Sequence, residues 1–312
     1  MKKQVFGLVI LLLASPTCFS QRVQWKAFRF TEENDIFNLT QRGIDRYYTQ
    51  GARLEFLYEP QRRKFSEKLL IQASGHAQNV YSIGLSQQVY TPRHKYDLDF
   101  VGDMPYAGTL YFSNKLDSYD SAKHLRLLSR LDAGIIGPLA LGEQTQGLVH
   151  KLIHNKIPAG WDTQLRNDVL LNYWVRLEKR IMQDGLFEVE GKIEANAGTV
   201  LISAVGGMNL KLGNWQRHQK FTWEVFFMPE IRAMAYNSLL QGGIFNRLYA
   251  DQKYSEYFLK RINPWVYSHS TGFQVRYQQF ELLYKQVNLA PEFAGQLPHY
   301  FGVFTFTWWL KK

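Results

Sequence analysis

The 312-residue chain has one cysteine, Cys18, and it lies in a segment that reads as a removable leader. Lys2 and Lys3 make a positive start, and Val5 to Ala14 is an apolar stretch of signal-peptide length. Cys18-Phe19-Ser20 then offers small residues at the −3 and −1 positions before Gln21. Pro16-Thr17 is a poor lipidation context for Cys18. Cleavage after Ser20 is therefore expected, giving a signal peptide at 1–20 and one domain at 21–312. Such a mature chain has no disulfide and no thiol chemistry.

Long hydrophobic runs are also missing. No later stretch reaches the roughly 18 apolar residues of an α-helical membrane span. No linker, charge block or internal repeat divides the chain. The 37 basic residues exceed the 27 acidic ones, but the excess is spread along the chain, which argues against nucleic acid as a partner. No Gly-rich phosphate loop is present.

What the chain does have is aromatic residues, 15% of the total, and segments that alternate with a period of two. Phe187, Val189, Gly191, Ile193 and Ala195 alternate with Glu188, Glu190, Lys192, Glu194 and Asn196. Leu125, Leu127, Ser129, Leu131 and Ala133 form a second such face, and Tyr300, Gly302, Phe304, Phe306, Trp308 and Leu310 a third. Period two means one greasy and one wet face. A soluble sandwich alternates too, but a charged strand face like 188–196 suits a hydrated lumen better than a core. With helical spans excluded, a closed barrel satisfies the backbone in lipid. The expected fold is an all-β, closed antiparallel transmembrane barrel of about twelve strands, from near residue 23 to near 310. Tyr47, Tyr48, Tyr58, Tyr173, Trp174, Trp265, Trp308 and Trp309 are expected to form interfacial girdles. The ending Trp309-Leu310-Lys311-Lys312 departs from the terminal aromatic of many outer-membrane barrels.

One segment breaks the β pattern. Ile136-Gly137-Pro138 ends a strand, Gly142 to Asn155 reads as a helix, and Pro158-Ala159-Gly160 closes it before Trp161. Glu143, Gln146 and His150 share one helix face, beside an apolar stripe of Leu148 and Leu152. A helix inserted between barrel strands belongs to an extracellular or lumenal loop, where function concentrates. Earlier, Glu33-Asn34-Asp35 ends a strand and Asp45-Arg46-Tyr47-Tyr48-Thr49-Gln50-Gly51 opens the next.

Taken in order, Asn34-Asp35, Tyr48-Thr49-Gln50-Gly51, Ile136-Gly137-Pro138, Gln146-Gly147-Leu148-Val149-His150 and Trp161 resemble the motifs of the outer-membrane lipid A 3′-O-deacylases, a family of β-barrel esterases. Asp103-Met104-Pro105-Tyr106-Ala107-Gly108 resembles a further stretch of that family. The likeness covers roughly residues 28–165; the remainder matches only as generic barrel strands.

The resemblance implies hydrolysis of an ester-linked acyl chain of lipid A (lipopolysaccharide) in the bacterial outer membrane. In that scheme His150 activates water and a bound Ca²⁺ polarises the carbonyl. Asp35 is the expected metal ligand, Asn34 and Thr49 would complete or orient the site, and Gln146 would hold His150 or the water. Thr49 is expected to point inward beside Asp35, with the helix folded over strands one and two. Family members carry an acidic residue about two turns after the histidine, where this chain has Asn155 and Lys156. Asp162, Glu143 or water is left to fill that place. Of two basic clusters, Arg62-Arg63-Lys64 and Arg93-His94-Lys95, the second follows Tyr90-Thr91-Pro92 in the longer connection. Arg93 and Lys95 are therefore the expected substrate contacts. A zinc site at His150 and His154 lacks the glutamate of a zincin motif, and Ser74, Ser82, Ser86 and Ser203 have no visible catalytic partner. A monomer is expected. The competing reading is a non-catalytic outer-membrane barrel, a pore or an assembly factor.

Overall fold

The computed structural model describes residues 23–39, 46–63, 65–93, 103–214, 220–245 and 262–311. Residues 1–22, with Cys18, and Lys95 lie outside these residues.

Twelve antiparallel strands close into one barrel. They are β1 Val23–Asn34, β2 Tyr47–Pro60, β3 Gln78–Thr91, β4 Ala107–Asp120, β5 Leu125–Ile136, β6 Asp168–Asp184, β7 Phe187–Gly198, β8 Leu201–Asn214, β9 Phe221–Asn237, β10 Trp265–Tyr277, β11 Phe280–Leu289 and β12 His299–Trp309. Each strand pairs with its sequence neighbours, and β1 closes on β12 through Ala27–Trp309 to Asn34–Gly302. Among the described residues three short α-helices accompany them: α1 Phe65–Lys68, α2 Gly142–Leu152 and α3 Ser238–Gln241. Among the described residues no helix is long and apolar enough to cross a membrane.

The expected alternation sorts residues as predicted. Inside, Glu55 meets Lys115 at 2.7 Å and Arg29 at 3.8 Å. Arg176 meets Glu194 at 2.9 Å, Arg180 meets Glu188 at 2.6 Å, and Lys192 pairs with Glu230. Every buried charge in this list has an opposite neighbour, the condition under which charge tolerates removal from water. Outside, Leu54, Phe56, Ile83, Phe112, Ile193, Phe306 and Trp308 stand exposed, as lipid contact requires.

The two ends differ. At the end that holds both termini the connections 121–124, 185–186 and 278–279 are tight turns; at the other, 137–167 and 238–264 are long. Short periplasmic turns and long extracellular loops are the rule for such barrels, so Asn34, Tyr47 and Thr91 lie at the extracellular rim. There the lumen is filled rather than open. Tyr47, Met104, Ala107, Ile136, Leu165, Met234, Leu239, Leu240, Val266 and Phe293 form one apolar cluster.

That cluster corrects part of the expected girdle. Tyr47 belongs to the plug, and the Tyr48 hydroxyl donates to Glu33 at 2.7 Å inside the lumen. Trp174 is sandwiched by Arg130 and Arg176, whose guanidinium carbons sit 5.0 and 4.8 Å from its ring. Tyr58 is buried. Trp265 and Trp308 are exposed as expected. Aromatic content near strand ends does not reveal side; parity with the charged face does, except at Tyr47, where a positive φ of 63° breaks the alternation.

Candidate active site on the outer wall

Residues opposite one another across an antiparallel pair share a face. Arg53 donates to Ser86 Oγ at 2.9 Å and to the Tyr111 hydroxyl at 3.2 Å, so these three point into the lumen. Their strand neighbours point out. The row Gly302, Asn34, Gln50, Val89 and Gly108, each registered against the next, therefore lies on the outer face at the extracellular rim.

Two segments fold over the ends of this row. On one side a single 3₁₀ turn, Asp35–Phe37, lies on β11 and β12. Asn34 caps it, its Oδ1 accepting from the Ile36 N–H at 2.9 Å. Tyr284 donates its hydroxyl to the Phe37 carbonyl at 2.9 Å, and Phe37 packs edge-on against Phe304. Only glycine fits beneath it, because a Cβ on Gly302 would meet the Phe37 oxygen at 2.5 Å. Asp35 is buried, and its Oδ2 accepts from the Arg46 N–H at 3.1 Å.

On the other side α2 lies against β3 and β4. Gly137 takes a positive φ of 104° to leave β5, and Leu141, also left-handed, opens the helix. Gly142 meets Gly108 so closely that a Cβ on Gly108 would sit 3.1 Å from the Gly142 nitrogen. Gln87, one residue past lumenal Ser86, clamps the helix. Its Nε2 donates to the Ala140 carbonyl at 2.7 Å, and its Oε1 accepts from the Thr145 hydroxyl at 2.9 Å. The helix therefore covers strands three and four, not one and two as expected. It is also shorter than expected, ending at Leu152, because His154 adopts a left-handed φ of 56°.

The helix is amphipathic in reverse. Gly142, Gln146 and His150, spaced by four, form the buried side, while Leu148 and Leu152 face out, Leu152 at 70% exposure. Glu143 is exposed rather than grouped with them. An apolar outward stripe suits acyl chains, not water. His150 is 4% exposed, and its Nδ1 lies 2.6 Å from the Lys156 carbonyl. A carbonyl only accepts, so Nδ1 donates to it, and Nε2 is the ring nitrogen left to face the wall's chemistry. Gln146 Oε1 accepts from Trp161 Nε1 at 2.8 Å, which directs its Nε2 away; that buried amide has no partner among the described residues. Trp161 packs with Val89 and Tyr106 on the same wall.

Thr49 corrects another expectation. A bulge between Tyr48 and Gln50 inserts it as an extra residue. Its hydroxyl bonds to that of Thr91 at 2.6 Å, two residues beyond Val89 on the outer face. It points out, not in. Since Asn34 registers with Gln50, Asp35 and Thr49 are neighbours at the rim. Beside them Gln50 Nε2 donates to Glu32 Oε1 at 3.1 Å. Glu32, Gln87 and Thr91 belong to this site and were not singled out in the sequence. The parity that puts Ala52 and Leu54 outside would have found Glu32 and Gln87.

Of the other expected residues, Arg93 is exposed at the end of β3. Asn155 accepts from the Lys156 N–H at 2.8 Å and so shapes the turn that presents the Lys156 carbonyl to His150. Ser82 and Ser86 bond Glu55 and Arg53 within the lumen. Among the described residues no group of three or more His, Cys, Asp or Glu is placed to hold a metal. Asp35, Asn34 and Thr49 nonetheless offer oxygens of carboxylate, amide and hydroxyl, the kind a hard cation such as Ca²⁺ takes. The balance of its coordination would fall to backbone carbonyls and water.

Residues 5–310 match the family model described as outer membrane protein LpxR. Among solved structures, LpxR from Salmonella typhimurium aligns over 91% of this chain and 100% of its own, with 18% identity and a TM-score of 0.73. The β domain of the Bordetella autotransporter BrkA aligns over 92% and 98%, with 9% identity and a TM-score of 0.46. No curated protein sequence matches significantly.

Proposed function

Because this chain belongs to the LpxR outer membrane protein family, we propose that it is a lipid A deacylase, hydrolysing an ester-linked acyl chain from the outer leaflet side. One observation carries this reading. The buried polar face of α2, with His150 and Gln146, shares the lipid-facing wall with Asn34, Asp35 and Thr49. A lipid with its headgroup at the rim and its chains along the wall reaches that seam without leaving the bilayer. A pore would need no such outward seam, and its mouth would not be filled with apolar side chains.

The proposed chemistry follows from the ring tautomer. His150 Nε2 takes a proton from water as the oxygen attacks the acyl carbonyl, giving a tetrahedral oxyanion. The buried Nε2 amide of Gln146, without a partner among the described residues, donates to that water or oxyanion. On collapse the C–O ester bond breaks, and the imidazolium returns its proton to the departing sugar alkoxide. The products are a fatty acid and a free hydroxyl. Ca²⁺, held by Asp35 with Asn34 and Thr49 nearby, would supply positive charge for the carbonyl oxygen. Arg93, exposed at the rim, would meet the phosphates of lipid A.

The barrel reconstituted with lipid A should release fatty acid, lose this activity to a chelator, and regain it with Ca²⁺. Asp35→Ala should behave as the chelated protein. Activity unchanged by chelator would remove the metal from the scheme.

A further inference from the structure

The connection 61–77 between β2 and β3 is the exception among the periplasmic turns. It climbs the outside of the barrel as a strap. The Ser66 carbonyl accepts from Asn114 Nδ2 at 3.2 Å and the Leu69 carbonyl from the Tyr173 hydroxyl at 2.7 Å. Ser129 Oγ accepts from the Ile71 N–H, and Ser118 Oγ from the Ala73 N–H, both at 2.9 Å. Asn114, Leu116 and Ser118 share the outward parity of Phe112, and register carries it to Ser129, Leu131 and Tyr173. This part of the lipid-facing wall is polar, and the strap satisfies it where lipid offers no hydrogen bonds.

The strap is also sealed from beneath. Leu70 packs with Tyr58, Tyr81 and Leu116, and buried Glu67 accepts from the Tyr58 hydroxyl at 2.9 Å. Arg63 is occupied internally, donating to the Glu67 and Leu70 carbonyls at 2.8 and 3.1 Å. What remains on the outward side is apolar and basic: Phe65 at 78% exposure, with Leu69, Ile71, Arg62 and Lys68 also exposed.

We propose that this strap is an anchor for acidic phospholipids of the periplasmic leaflet. Phe65, Leu69 and Ile71 enter the acyl region, and Arg62 and Lys68 meet the headgroup phosphates. The occupant follows from position and charge. Ser118 and Ser129 lie within a few residues of the periplasmic ends of β4 and β5, so the bilayer is already against the strap. The exposed cations Arg62 and Lys68 beside three outward apolar side chains complement an anionic headgroup above its chains. None of this depends on ester hydrolysis.

The test uses the full chain with Cys18→Ser and Phe65→Cys, labelled with a polarity-sensitive thiol dye and reconstituted in phosphatidylcholine vesicles with or without phosphatidylglycerol. Heat-modifiable gel migration verifies folding, and a Phe112→Cys label gives the lipid-facing reference. Dye at 65 should emit as in lipid, resist aqueous iodide, and be quenched more by brominated phosphatidylglycerol than by brominated phosphatidylcholine. Arg62→Gln and Lys68→Gln should each lower that preference about fivefold, while the label at 112 shows none of it. Quenching by iodide, or equal quenching by the two brominated lipids, overturns the proposal.

Discussion

At the scale of single residues, the account turns on two side chains of α2 and on what fixes them. His150→Ala should lower lipid A hydrolysis about 10²–10⁴-fold, the range for losing a general base, with heat-modifiable migration retained because the helix lies off the strand ladder. Trp161→Phe tests a subtler point. It keeps the ring against Val89 and Tyr106 but removes the N–H that holds Gln146 Oε1. Leaving that buried oxygen without its donor costs about 1–3 kcal/mol. Free to turn, the amide should stop donating consistently, and kcat should fall about tenfold with KM little changed. Unchanged kcat in a folded Trp161→Phe protein would show that the indole does not position Gln146. These residues were legible in the sequence because glutamine and histidine at i, i+4 on an isolated helix form a local pattern. Lys156 was not legible in its actual role. Its backbone carbonyl, rather than an acidic side chain, engages His150, and no residue identity encodes a carbonyl's direction.

At the scale of elements, the strands could be read and the helix's side could not. Alternation at 125–133, 187–196 and 300–310 reports two environments directly. A helix with one polar and one apolar stripe, by contrast, looks the same whether water lies outside and protein inside or the reverse. Here lipid takes the place of water, so Leu148 and Leu152 face out and Gln146 and His150 face the wall. Thr49 was misplaced for a related reason, since a one-residue bulge flips parity and leaves no mark in composition. The docking of α2 depends on close approach, which gives a prediction. A Cβ on Gly142 would sit 2.8 Å from the Trp161 ring and 3.1 Å from the Gly108 Cα. Gly142→Ala should therefore push the helix off β4 and lower activity at least about tenfold, a 1.4 kcal/mol effect on the barrier, while barrel migration on gels is unaffected. Full activity in Gly142→Ala would mean that the seam tolerates displacement and that its geometry is not what matters. The strap at 61–77 was no more legible: Ser118 and Ser129 look like weak points in greasy faces until the segment that satisfies them is seen.

At the scale of the whole molecule, one surface is divided into zones. The lumen holds paired charges below and an apolar plug above, which keeps it closed and rigid. The pairing predicts a cost. Glu55 neutralises Lys115 and Arg29 where water is scarce, so Glu55→Ala should destabilise the barrel by about 3–5 kcal/mol, read as a lower temperature for loss of heat-modifiable migration. The groups proposed for catalysis sit outside, at the rim. That placement is the central claim, and the most direct test is mass spectrometry of lipid A from cells producing the wild-type chain or His150→Ala at equal levels of folded barrel. Lipid A lighter by one ester-linked acyl chain is expected in the first case and intact lipid A in the second. Identical lipid A from both, from a barrel verified as folded and in the outer membrane, would contradict it.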